Sequence, residues 1–210
     1  MDDVRSRYRR IFSDGNNPER LAFFSDAVFA IAMTLLVIDL QVPEDRGGTA
    51  GEVLLEAWPG FIAYALSFTI IAINWVAHYR KFRVIREHDS TLILLNLVLL
   101  FFVALLPFPT SLLSSYSGEA PAVIAYAFVV GMLSVMQWVM WEYSYRKGFV
   151  AKDVDDKLFR YVRINQIATP IVFWGSIPVA LLVSGEAAMW SWFALFPVNF
   201  AIGAIRSRWD

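Results

Sequence analysis

The sequence contains no cysteine, so no disulfide, thiolate metal site or cysteine nucleophile is available to it. Histidine occurs only twice, at His78 and His88, which is too few and too poorly placed for a haem or a histidine metal pair. Charged residues make up 18% and the formal net charge is −1, which excludes a nucleic-acid partner. GxxxxGK[ST], GxSxG, HExxH and the carbonyl-filter sequence TVGYG are all missing, as is any regular arginine ladder. No cofactor is expected, and an embedded enzyme would lack nucleophiles and metal ligands. What is abundant is apolar surface: 58% of residues are hydrophobic and 16% aromatic, against about 45–50% apolar in ordinary globular domains. The chain therefore reads as an integral membrane protein.

Six apolar segments are expected to span, near 20–42, 57–79, 91–114, 120–143, 161–184 and 187–205. Each matches the ~20 residues that cross ~30 Å of hydrocarbon at 1.5 Å per residue. A backbone in lipid must satisfy its own polar groups, and the short alternating strands of a barrel are absent, so the fold class is an all-α six-helix bundle. The N-terminus is polar and lacks a signal-peptide cleavage site, so the first segment is expected to remain. Seventeen of the 18 Lys and Arg residues lie in the terminal segments and the even-numbered loops, and one, Arg46, in an odd-numbered loop. This asymmetry puts both termini in the cytoplasm of a multi-pass plasma-membrane protein. The expected organisation is a cytoplasmic segment at 1–19, a membrane domain at 20–205 and a cytoplasmic end at 206–210. The stretch AKDVDDKLFRYVR reads as a cytoplasmic extension of the fifth helix, and Pro107, Pro109, Pro170 and Pro178 as kinks. Glu142 is expected to snorkel at its helix end. "IFSDGN" at 11–16 repeats the letters FSD in a polar setting, and no internal repeat is evident.

Polar side chains inside spans are costly unless paired. Asp26 lies six residues past Arg20, about 9 Å deep. Asn74, Trp75 and His78 end the second segment, and Asn96 opens the third at the same depth. A carboxylate, an indole N–H, an imidazole and an amide at one level can satisfy one another across helices. The structural reading makes Asp26 a buried partner in that knot; the functional alternative is a proton or cation site at Asp26 and His78, as in a proton-coupled carrier. At 100° per residue, Phe24, Ala27, Ile31, Thr34, Leu35 and Ile38 share one face, and Asp26 lies about 140° from Ile31. The apolar face is then free for lipid, core packing or another subunit. Asp39, about 80° from Ile31, would with Glu44 and Asp45 concentrate cations at an outer mouth.

Arg20, Phe24, Ser25 and Asp26 spell RxxxFSD at the start of the first span; "NWVAHYRKF" ends the second, and "LNLVLLFFVALLPFPTSLL" fills the third. Together these resemble the transmembrane protein 175 family of potassium channels, in the single-repeat prokaryotic form. The resemblance implies a homotetramer in which first helices surround a central pore for potassium ions. Ile31, Leu35 and Ile38 would be its hydrophobic constrictions, with Ile31 narrowest and Thr34 adding a ring of hydroxyls. Phe24, Ser25 and Asp26, in the motif that Arg20 opens, would hold the first helix against the next two through Trp75, His78 and Asn96. An isoleucine ring gates by dewetting and offers no oxygen ligands.

Overall fold

A computed structural model describes residues 18–40, 49–195 and 197–198. Helix α1 runs Glu19–Leu35 and tightens into a 3-10 turn over Leu36–Asp39. A short α2, Ala50–Glu56, starts on a capping box in which Thr49 and Glu52 satisfy each other's exposed donors. Helix α3 covers Trp58–Phe82, with Pro59 in its first turn, where a missing N–H costs nothing. Helix α4, Ser90–Leu105, is capped by Asp89, whose carboxylate accepts from Leu92 N at 2.9 Å. Helix α5 is Pro107–Ser115 and α6 is Ala120–Arg146. Gly148 follows α6 at φ +72°, the left-handed conformation that ends helices cheaply when the residue is glycine. Helices α7, Asp156–Asn165, and α8, Ala168–Leu182, are followed by α9, Gly185–Ser191.

Among the described residues, five helical stretches are long and apolar enough to cross a membrane: 19–38, 58–82, 90–115, 120–146 and 156–182. These correspond to the first five expected segments, with physical differences. The third changes at Pro107, which cannot donate: α4 ends at Leu105 and α5 restarts on the proline, with Leu106 between them still in helical conformation, so the stretch continues through the proline. The fifth begins at Asp156, because Asp155 caps α7 by accepting from Leu158 N at 2.8 Å, and it breaks at Gln166–Ile167 before α8. Where the sixth is expected, α9 starts at Gly185 with Ser184 as cap and passes into a 3-10 turn over Trp192–Ala194; residues 196 and 199–205 lie outside the described residues, as do 1–17, 41–48 and 206–210. Glu142 does not snorkel freely. Its carboxylate holds Arg146 at 2.7 Å and Arg163 at 3.8 Å.

Helix α6 is the most enclosed of the described helices, packing Val123, Tyr126, Val130 and Leu133 at 0% exposure. It touches α4, α5 and α8, and Gly131 lets the Trp174 ring of α8 close on its backbone. Buried hydroxyls add a second tie: Ser67 of α3 lies 2.8 Å from Thr110 of α5 and 2.9 Å from Tyr126 of α6. At the basic end, the loops after α3 and α6 pair through Ile85 and Val150, with Arg86 N donating to Phe149 O at 2.7 Å.

Candidate pore helix and its anchor

Helix α1 has two unlike faces. Its inner face buries Ser25, Phe29, Ala32 and Leu36, each at 1% exposure or less, against α3 and α4. The opposite face leaves Phe24 52%, Ile31 57%, Leu35 41% and Ile38 65% exposed. Ala27 and Thr34 are exposed on it too. From Ile31, four α-helical steps bring Leu35 to about 40°. The 3-10 turn then advances about 120° per residue, so Ile38 falls directly above Leu35. The stripe therefore stays in line to the end of the helix and spans about 12 Å from Ile31 to Ile38. Thr34 Oγ donates to Ile31 O at 2.8 Å, which commits its proton and leaves the oxygen as an acceptor. Asp39 ends the 3-10 turn; its side chain, with Glu44 and Asp45, lies outside the described residues.

The polar residues of the inner face form two separate linkages rather than one knot. Asn96 Nδ2 donates to Ser25 Oγ at 2.9 Å, and Ser25 Oγ donates to Leu21 O at 2.8 Å. Asn96 Oδ1 sits 2.9 Å from His78 Nε2; an amide oxygen only accepts, so the imidazole proton is on Nε2. His78 Nδ1 is buried with no partner among the described residues, between Phe29 and Phe82, whose rings lie 5.5 and 4.3 Å away. Asp26 is tied elsewhere: Trp75 Nε1 donates to its Oδ1 at 2.8 Å. Asp26 is half-buried and borders a cavity of about 520 Å³ lined also by Glu19, Tyr79, Arg83 and Arg86. Arg20 and Phe24 stand exposed on α1, away from both linkages. The depth match thus places Ser25, Asn96 and His78 together and Asp26 with Trp75.

Residues 20–107 match the family described as the endosomal/lysosomal potassium channel TMEM175. A potassium channel of Streptomyces collinus is 33% identical over 196 residues, covering 87% of this chain and 95% of that protein. The chain belongs to the TMEM175 family. It is a family of ion channels, not of enzymes, and the chain is a multi-pass membrane protein. A potassium channel of Chamaesiphon minutus is 37% identical over 131 residues, 60% of this chain and 64% of that protein. The crystal structure of a lysosomal potassium-selective channel TMEM175 homolog from Chamaesiphon minutus superposes with a TM-score of 0.73 at 26% identity, covering 90% of this chain and 97% of that one. The endosomal/lysosomal proton channel TMEM175 of Bos taurus is 32% identical over 136 residues, and this chain spans 28% of its length.

Two linkages carried no clear sequence signal. One is the Ser67–Thr110–Tyr126 hydroxyl cluster. The other is Lys81, whose Nζ donates to Gln137 O at 2.8 Å and Gln137 Oε1 at 2.7 Å. Gln137 Nε2 in turn donates to Asn74 O at 3.0 Å. Asn74 and Lys81 are seven residues apart, two helical turns on one face, so one Gln137 reaches both.

Proposed function

We propose that the chain is one subunit of a potassium-permeable channel that conducts passively through a homotetrameric pore lined by α1. The observation that carries this is the exposed, aligned stripe Ile31–Leu35–Ile38 on a helix whose other face is fastened by Ser25 and Phe29. Four copies of that face meeting on an axis make rings of branched aliphatic side chains, narrowest at Ile31, with Thr34 oxygens between them. Such rings exclude water when tight, and conduction depends on how far they open and on the dehydration they impose. Asp39 is proposed to raise cation concentration at the outer mouth. Arg20 and Phe24 belong to the proposed motif at the base of α1, with Ser25, Asp26, Trp75, His78 and Asn96. The sixth segment completes the bundle in a plasma membrane, with 1–19 and 206–210 on the cytoplasmic side. The relatives named as potassium channels and the aligned fold support potassium as the permeant ion.

The second reading, a proton-coupled carrier at Asp26 and His78, draws on one observation: Asp26 borders an open cavity. Against it, Asp26 and His78 are held by different partners, and a second imidazole proton would sit on Nδ1 with no acceptor among the described residues. Purified protein in planar bilayers with asymmetric potassium and sodium separates the two. Passive current reversing near the potassium potential supports the channel; flux that needs a proton gradient supports the carrier.

A further inference from the structure

A cavity of about 430 Å³ opens between the end of α3, the end of α6 and helix α7. Its lining includes Arg80, Lys81, Asn165, Gln166 and Thr169 beside the apolar Leu158 and Val162. We propose that this cavity binds the phosphate group of an anionic membrane lipid.

Lys81 is 5% exposed, yet its ammonium is held by two uncharged oxygens, both from Gln137. An ammonium carries three N–H donors, so one remains beyond those two bonds. Burying a cation without an anion is costly, and an anion in the cavity relieves that cost. Among the described residues that line the cavity there is no carboxylate to supply that anion. Arg80, exposed at the rim, adds a second cation. Lipid rather than a soluble anion is favoured by the composition of the lining. The cations sit in the last turn of α3, at the basic end where headgroups lie. Leu158 and Val162 line the same opening from α7 and give acyl chains a surface to follow. The inference does not depend on which ion the pore conducts.

The test is lipid binding by the purified full chain in detergent, read by native mass spectrometry during titration with phosphatidylglycerol or phosphatidylcholine. Wild type is expected to retain phosphatidylglycerol in preference. Arg80→Gln is expected to weaken that binding about fivefold, the effect of one surface cation. Leu158→Trp, which fills the cavity from a position 43% exposed, is expected to abolish the preference. Both residues are exposed enough for the variants to fold, whereas Lys81→Met risks the bundle itself. Arg86→Gln removes one charge from the same end but outside this cavity, and is expected to change nothing. Equal retention of the two lipids overturns the proposal, and so does an Arg86→Gln effect as large as that of Arg80→Gln. Displacement of phosphatidylglycerol by millimolar inorganic phosphate assigns the site to a soluble anion and overturns the lipid.

Discussion

Ser25 and Ile31 stand about 120° apart on α1, and the fold buries the first completely while leaving the second 57% exposed. One helix thus carries an anchor and a free apolar face, and substitutions on the two faces have separable consequences.

On the anchor face, Asn96 is the most connected group. Asn96→Ala leaves the His78 Nε2–H and the Ser25 hydroxyl without their partner, at roughly 1–3 kcal/mol for each lost bond. Asp26→Ala strands one donor, the Trp75 indole N–H, and costs about one such bond. Thermal unfolding of the purified variants should rank Asn96→Ala below Asp26→Ala, and Asp26→Ala below wild type. The reverse order would mean that Asp26, not the amide, ties α1 to the bundle.

Gly131 allows α6 and α8 to approach. A Cβ there would stand 1.9 Å from Trp174 Nε1, so Gly131→Ala forces the ring out and should cost about 1–3 kcal/mol. The double variant with Trp174→Phe should recover much of that loss. Recovery in a melting series checks it; an additive or larger loss would place the strain elsewhere.

Asp89 gives the basic end a pH dependence. Burial raises its carboxyl, but the Tyr143 hydroxyl, the Leu92 and Thr91 backbone and Lys147 outweigh this and hold it below the usual carboxylate range. A depressed folded-state value means that the contribution is complete above the unfolded carboxyl's pKa and is lost as pH falls through the folded one. Tyr143→Phe removes the 2.6 Å hydrogen bond and should move that acid loss to higher pH. Melting temperatures of both proteins across the acid range check this; coincident profiles would contradict it.

Spans and depths are legible in the sequence because lipid imposes length and apolarity on each helix. Phe24, Ile31, Leu35 and Ile38 were placeable on one face for the same reason: periodicity within a helix is local. How helices turn toward one another is not local. Asp26 and Ser25 are adjacent and at one depth, yet they choose different partners, Trp75 and Asn96. The helical extension in AKDVDDKLFRYVR was legible, and Asp156–Asn165 is a helix, but the turn at Gln166 that separates it from α8 carries no glycine or proline to announce it. Lys81 reads as one more positive residue of a loop, and only the approach of Gln137 from α6 shows it to be buried.

The most direct measurement of the central proposal is single-channel current and reversal potential for Ile31→Asn beside wild type, in bilayers with asymmetric potassium and sodium. Ile31 shares no face with the anchor, so the variant should assemble as wild type does. Amides in place of isoleucine should hydrate the constriction, raise conductance, about tenfold for each 1.4 kcal/mol removed from the barrier, and weaken potassium preference. Leu35→Asn should act in the same direction with a smaller effect. An Ile31→Asn protein that assembles normally yet conducts and selects as wild type does would show that α1 does not line the path.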